Sequence, residues 1–202
     1  MTIHEVEGQV FTHQHLWNSA KLLLSQPETQ SPNDGYFLMA GMLMAYFTYE
    51  AYLNLVGPHI HRVAWKNERE FFSKDPYRGT EGKLNLVCER LGIKIDRGQR
   101  PYQTIHELKR LRDFLAHGKP QFYAYEVEVE QEQTADLFRD ITIYKMVTRD
   151  KADRALKDTE EFLEYLRSKI IEKFGDDEIL FRTKVLHFPL ASASGGQKPI
   201  QH

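Results

Sequence analysis

A run of apolar residues from Tyr36 to Val56 constrains the fold more than any other part of the sequence. The run nearly reaches the length needed to cross a membrane, but Thr48, Glu50 and Asn54 interrupt its second half. Its apolar side chains fall on almost every side of a helix, which is typical of the central helix of a bundle. Gly57-Pro58 predicts the end of this helix. We therefore expect a buried helix inside an all-α fold rather than a membrane span.

Amphipathic patterns on both sides of this run predict further helices. They cover about residues 9–25, 60–72, 80–91, 101–117 and 150–174. Between Phe122 and Val147 the period changes to two, because valines alternate with glutamates, and this predicts a β-hairpin insertion at about 122–147. Together these patterns predict one helical domain over residues 1–188. Residues 189–202 are rich in Ser, Gly, Pro and Gln, which predicts a flexible C-terminal tail.

Charge and cysteine usage exclude several classes of protein. With 27 basic and 29 acidic residues the net charge is −2, so no global positive field attracts nucleic acid or anionic membranes. The single cysteine, Cys88, excludes an internal disulfide, and the acidic N-terminus lacks the pattern of a signal peptide. Both features lead us to expect a cytoplasmic protein. A local basic patch is predicted around the fifth helix, formed by Lys94, Arg97, Arg100, Lys109, Arg110, Arg112 and Lys119.

The segment from Ile105 to Gly118 contains the residues best suited to chemistry. Its leucines predict the core stripe of a helix, and Arg112 falls on the edge of that stripe. Asp113 and His117 are four residues apart, within hydrogen-bonding reach of each other. Arg112 and His117 are about 140° apart around the helix axis. They would converge only if the helix end distorts or a second copy of the helix lies alongside.

Arg112-Asp113-Phe-Leu-Ala-His117 resembles the Arg-polar-x-x-x-His motif of HEPN domains (higher eukaryotes and prokaryotes nucleotide-binding). The motif ends a helix, is followed by Gly-Lys-Pro, and comes after two predicted core helices, as in the HEPN helical bundle. The likeness covers about residues 10–175. Many HEPN domains are metal-independent endoribonucleases in toxin, antiphage and RNA-processing systems. Aspartate at position 113 departs from the asparagine common in the family but is an accepted variant.

The resemblance implies RNA as the substrate, a homodimer as the working form, and an antitoxin or other protein as a further partner. In the implied reaction the ribose 2′-hydroxyl attacks the adjacent phosphorus and leaves a 2′,3′-cyclic phosphate. His117 would transfer protons, because a histidine titrates near neutral pH, and Arg112 would stabilise the charge on the phosphoryl oxygens. Asp113 would orient the imidazole. No cofactor is implied.

Other side chains near this segment allow two interpretations each. Lys109 and Lys119 are candidates for binding the RNA backbone, although Lys109 is also placed to pair with Asp113. Glu50 would line the cleft, or, as we favour, form an ion pair with an arginine or lysine. Tyr46, Tyr49 and Tyr52 favour packing in the core or at a dimer interface over base stacking. Cys88 falls on an apolar stripe typical of an inert thiol.

Two broader readings concern metals and catalysis. The closest histidine pairs are two residues apart and point to different helix faces, so no metal site is predicted. The alternative to an enzyme is a HEPN-like module without catalysis, which dimerises or binds a nucleotide, RNA or protein partner. In that case Arg112 is a surface arginine packed over the core, and His117 is stabilised by the helix dipole.

Overall fold

Helices form all the regular secondary structure of the residues that the computed structural model describes, which are 10–27, 33–120, 141–175 and 186. The predicted all-α class is therefore confirmed. The helices are α1 Thr12–Leu24, α2 Asp34–Ile60, α3 Arg62–Lys66, α4 Glu68–Phe71, α5 Gly79–Leu91, α6 Tyr102–Ala116, α7 Thr142–Met146 and α8 Arg149–Phe174.

Helix α2 lies at the centre of the bundle, as its sequence predicts. It contacts α1, α3, α5, α6 and α8, and its tyrosines Tyr46, Tyr49 and Tyr52 are buried, whereas Tyr36 near its start is exposed. The helix ends at Ile60 rather than at Gly57-Pro58. Pro58 removes only one backbone hydrogen bond so close to the helix end, and the buried side chains of Val56 and Ile60 hold the last turn against the core. Among the described residues, none of the helices combines the length and apolar character that a membrane span requires.

The helix predicted over 60–72 is instead two short helices, α3 and α4. His61 has a non-helical backbone, and its Nδ1 accepts a hydrogen bond from the backbone N–H of Ala64 at 3.2 Å. This side-chain cap starts α3. The division between α3 and α4 lies at Asn67, whose backbone also leaves the helical region, with φ −110° and ψ 37°.

The hairpin prediction is wrong where the structure describes its residues. Residues 142–146 form the helix α7, and Ile143 and Met146 pack against the core from one face of it. Their spacing of three residues suits one face of a helix. The sequence instead indicated a strand, because Ile141 and Ile143 are two residues apart, which is the period of a strand. The rest of the predicted hairpin, 122–140, and the tail, 189–202, lie outside the described residues.

Two contacts between distant parts of the sequence fix the bundle. The Arg100 guanidinium donates two hydrogen bonds of 2.6 Å to the carboxylate of Asp158 in α8, which is 1% exposed. Thr104 of α6 donates to the same carboxylate. In the second contact, Arg149 of α8 donates to the carbonyl oxygens of Leu24 and Gln26, at 2.7 and 3.2 Å, just where α1 ends.

Candidate functional site

The last two turns of α6 carry Arg112 and Asp113, and His117 follows at the helix end. Ile105, Leu108 and Leu111 are buried and hold α6 on the core. Arg112 lies beside this stripe with its side chain 30% exposed, as its place in the sequence predicts. Its stem is therefore packed against the protein while the guanidinium reaches the surface.

The Arg112 guanidinium is fixed by two carboxylates from different helices. One terminal nitrogen donates to Oε1 of Glu50 in α2 at 2.9 Å, and the other donates to Oδ1 of Asp113 at 2.8 Å. The guanidinium carbon also lies 5.5 Å from the centre of the Tyr46 ring, within the range of a cation–π contact. Burial lowers the pKa of Arg112, but the hydrogen bond and charge of Glu50 outweigh this, so the net shift is upward. The arginine is cationic at every accessible pH.

Glu50 is the partner of Arg112, which confirms the predicted ion pair. The same oxygen of Glu50 accepts a 2.6 Å hydrogen bond from the Thr80 hydroxyl at the start of α5. Glu50 thus joins α2, α5 and α6 at one point. Nothing in the sequence pattern singles out Thr80, because its role depends on how α5 packs against α2.

Asp113 binds Lys109 and Arg112 rather than His117. The Lys109 ammonium donates to Oδ2 of Asp113, and Arg112 holds Oδ1. Burial raises the pKa of Asp113, but the hydrogen bond from Lys109 and the neighbouring positive charges lower it below its usual range. Of the two partners that helical spacing allowed, Lys109 is the one observed. The predicted hydrogen bond between Asp113 and the imidazole is not formed.

His117 is exposed at the C-terminal cap of α6. Its backbone N–H donates to the carbonyl oxygen of Asp113 at 3.0 Å, whereas its imidazole has no hydrogen bond to any described residue. Lys119, two residues further, is exposed as well. In one copy of the chain, no hydrogen bond joins the His117 imidazole to the Arg112 guanidinium, whose partners are Glu50 and Asp113.

The predicted basic patch is largely neutralised by neighbouring acids. Arg97 is 3.5 Å from Glu81, Arg100 binds Asp158, and Lys109 and Arg112 bind acids as described above. Among the described residues, carboxylate partners are lacking for the remaining three: Lys94, Arg110 and Lys119. The cluster of Arg112, Lys109, Glu50 and Asp113 is itself neutral overall.

The remaining predictions concern the packing of three tyrosines, the reactivity of Cys88 and the binding of metal ions. Tyr46, Tyr49 and Tyr52 are at most 3% exposed, which confirms core packing. Burial raises the pKa of the Cys88 thiol to about 11, as expected of an unreactive cysteine. Among the described residues, no three His, Cys, Asp or Glu side chains are grouped so that they would hold a metal ion.

The shape of the site limits the kind of ligand that it can take. The crevice beside Lys109, between α2, α5 and α6, is too narrow to admit a water molecule, and neither Arg112 nor His117 lines it. Arg112 is partly exposed and His117 is exposed, so both reach the surface of the described part of the chain. No family model, curated protein or solved structure matches the chain in the comparisons with known proteins.

Proposed function

We propose that this protein is a metal-independent endoribonuclease of the HEPN type, with Arg112 and His117 as its catalytic residues. The observation that carries the proposal is the presentation of Arg112. Five N–H groups are available on a guanidinium, and here one binds Glu50 and one binds Asp113. The others bind no described residue, so the arginine is fixed in place and still has donors for a phosphate.

The proposed reaction needs only a base, an acid and a cation. The 2′-hydroxyl oxygen attacks the adjacent phosphorus and loses its proton to an imidazole, while the 5′-oxygen leaves with a proton from an acid. The products are a 2′,3′-cyclic phosphate and a 5′-hydroxyl. Arg112 stabilises the negative charge that grows on the phosphoryl oxygens, and its planar fork suits two of them at once.

His117 serves as the proton carrier because its exposed imidazole is accessible to a bound strand. A homodimer places the imidazole of each copy beside the Arg112 of the other, and that imidazole takes the 2′-hydroxyl proton and passes it to the leaving 5′-oxygen. Glu50 and Asp113 are positioning residues that hold the guanidinium, and Lys119 contacts the backbone of the strand. The open surface suits RNA, which lies across a site instead of entering a cavity. A role as a toxin or antiphage effector, restrained by an antitoxin or other protein, follows from the same resemblance.

A second function, a HEPN-like binding module without catalysis, is favoured by a different observation. Arg112 already has two carboxylate partners, and the His117 imidazole contacts neither Arg112 nor Asp113 through a hydrogen bond. In a module of this kind the pair Arg112–Glu50 ties α6 to α2, and the exposed end of α6 contacts a second copy, a nucleotide or a protein.

Cleavage of a mixed RNA pool in EDTA separates the two functions. We expect the wild type to produce 2′,3′-cyclic phosphate ends and both Arg112→Ala and His117→Ala to lose at least 100-fold in rate, about the effect of removing one acid–base or electrostatic group. Arg110→Ala and His106→Ala are matched controls, since both residues are exposed on the same helix. Equal rates for wild type and all variants, or no cleavage by any, would favour the binding module.

A further inference from the structure

An open groove of about 420 Å³ lies between α4 and the first turns of α5. Its volume falls within the range of about 300–1,000 Å³ that is typical of small-molecule sites. The described residues that line it are Glu68, Arg69 and Phe72 on the α4 side and Gly79, Thr80 and Lys83 on the α5 side. Its floor and walls therefore come from a part of the chain that the HEPN-like motif does not include.

Thr80 joins this groove to the Arg112 guanidinium. The Thr80 hydroxyl donates to Oε1 of Glu50 at 2.6 Å, and Arg112 donates to the same oxygen at 2.9 Å. Because both donors bind one atom, the end of the groove at Thr80 lies next to the guanidinium. A strand with one phosphate at Arg112 can thus place a neighbouring nucleotide in the groove.

Arg69 provides the groove with a positive charge that no described residue neutralises. It is exposed and forms no ion pair in the described part of the chain. The Lys83 side chain is only 13% exposed, because its ammonium binds Glu68 and also donates to Oδ1 of Asn54 at 2.7 Å. Glu68, the one carboxylate among the described lining residues, is thereby compensated and does not oppose an anion at Arg69.

The segment before α5 adds further positive charge around the groove. Residues 62–78 contain five basic and three acidic residues, although the whole chain has a net charge of −2. The five basic residues are Arg62, Lys66, Arg69, Lys74 and Arg78. None of them has a carboxylate partner among the described residues. A polyanion therefore meets an excess of positive charge within about 8 Å, the screening length at physiological salt.

Phe72 forms an apolar wall that is already ordered. It is 7% exposed, its ring packs edge-on against Trp65 with the ring centres 4.9 Å apart, and the Lys83 ammonium lies 5.5 Å from its centre. An ordered wall loses little entropy when a ligand binds. Across from it the groove is open, since a Cβ at Gly79 would meet nothing within 4 Å. The groove thus offers one free charge and one apolar contact rather than deep burial.

We propose that this groove binds a nucleotide next to the scissile phosphate of a single-stranded RNA, with a backbone phosphate on Arg69 and the rest of the nucleotide over Phe72 and Thr80. The inference rests on the proposed function, because Arg112 binds the scissile phosphate of the same strand. The guanidinium fork of Arg69 suits two phosphate oxygens. Contacts at Arg112 and Arg69 reinforce each other, since the second forms within a complex that the first already holds. A free nucleotide lacks this advantage in so open a groove.

Fluorescence anisotropy with a labelled, single-stranded 2′-O-methyl RNA of about ten nucleotides tests the groove. The methyl group blocks attack by the 2′-oxygen, so binding is measured without cleavage. We expect Arg69→Ala to weaken binding by about tenfold. The slope of log affinity against log salt concentration should also become shallower by about 0.7, the value for one phosphate contact on a single strand. Arg69→Lys keeps the charge and should keep the slope.

Arg90→Ala is the matched control, because Arg90 is exposed on α5 and does not line the groove. It should leave affinity and slope unchanged, whereas Arg112→Ala should weaken binding, since the same strand crosses both places. Circular dichroism checks the fold of each variant. An unchanged slope in Arg69→Ala, an equal loss in Arg90→Ala, full affinity in Arg112→Ala, or no binding by the wild type would each overturn the proposal.

The cleavage assay in EDTA distinguishes this proposal from the proposed function. Binding that depends on Arg69, together with a wild type that cleaves no RNA, supports the groove as an RNA site and counts against the ribonuclease. Cleavage by the wild type, together with RNA binding that Arg69→Ala leaves unchanged, supports the ribonuclease and overturns the groove.

Discussion

Burial and the neighbouring hydrogen-bond donors shift the pKa of Asp158 in opposite directions. Burial raises the pKa of this carboxyl, but the hydrogen bonds from Arg100 and Thr104 outweigh it and hold the pKa below its usual range. A carboxyl whose pKa is depressed by folding stabilises the fold above its unfolded pKa, about 3.9. That contribution is lost as the pH falls through the lower, folded pKa.

The first prediction concerns Asp158→Asn. At pH 7 we expect the free energy of unfolding to fall by about 2–3 kcal/mol, because a buried charge-assisted network is broken while Arg100 remains partly hydrated. From pH 7 to 5 the difference from wild type should be constant, and below about pH 4 it should shrink. Urea unfolding at pH 7, 5 and 3 measures it.

Asp153→Asn is the matched control, since Asp153 is exposed on the same helix. It should change the free energy of unfolding by less than about 0.5 kcal/mol. A difference for Asp158→Asn that persists undiminished at pH 3 would show that the carboxylate charge is not the source of the stability.

At the scale of single residues, the sequence predicted the type of ion-pair partner for Glu50 but not which partner binds Asp113. The apolar surroundings of Glu50 correctly predicted a cationic partner, because an unpaired carboxylate in a buried helix is costly. Lys109 and His117 are each four residues from Asp113, so helical spacing alone does not decide which of the two binds it. The choice depends on the exact end of α6: at the cap the backbone of His117 leaves the helical direction, with φ −111° and ψ 17°, whereas Lys109 stays within regular helix.

At the scale of elements, the close approach of two segments depends on a glycine of α5. A Cβ at Gly82 would lie 1.8 Å from the backbone carbonyl of Tyr77, so the chain before α5 crosses the helix surface where no side chain fits. At Gly35, near the start of α2, a Cβ meets nothing within 4 Å. The two glycines have opposite roles although both lie in helices.

The second prediction compares Gly82→Ala with Gly35→Ala. Gly82→Ala should lower the free energy of unfolding by about 1–3 kcal/mol, because backbone has to move to relieve the overlap. Gly35→Ala should raise it by up to about 1 kcal/mol, since alanine favours the helix. Urea unfolding at pH 7 measures both variants, and similar effects of the two would contradict the packing at Gly82.

The helices themselves were largely predictable, while their ends were less so. The predicted ends of α5 and α8, at about residues 91 and 174, are confirmed, and the glycine that follows each end has a positive φ, 72° at Gly92 and 85° at Gly175. The break at Asn67, between α3 and α4, was not predicted, because the apolar pattern over residues 60–72 does not show that the Asn67 backbone leaves the helical region. The short helix α7 was not predicted, because two of its five residues are β-branched. Such residues favour a strand when their tertiary contacts are unknown.

At the scale of the whole molecule, the proposed chemistry depends on a second copy. Within one chain no hydrogen bond joins the His117 imidazole to the Arg112 guanidinium, and the residues at the end of α6 are exposed. A twofold axis near that end would bring the Arg112 of one copy close to the His117 of the other. No pattern in a single sequence reveals this, because it depends on how two surfaces fit.

The third prediction tests such a shared site. Arg112→Ala and His117→Ala proteins, each inactive alone, should regain activity when they are unfolded, mixed and refolded together. Random pairing makes half of the dimers mixed, and each mixed dimer has one intact shared site, so recovery should approach about a quarter of wild-type cleavage. RNA cleavage assays measure it, with each variant refolded alone as the control.

If both residues act within one copy, the mixture stays inactive, because no subunit contains both. A monomer in sedimentation experiments at assay concentrations would likewise contradict the shared site. Recovery together with a dimer would support both parts of the proposal.

Arg149 joins the first and the last of the described helices, since it belongs to the first turn of α8 and binds the carbonyl oxygens at the end of α1. These groups are more than 120 residues apart in the chain, so the contact forms only after a long loop has closed. Fraying of α1 from its C-terminal end would break hydrogen bonds to α8 as well. In hydrogen exchange, the amides in the last turn of α1 would then open together with those of α8, as one cooperative unit of unfolding.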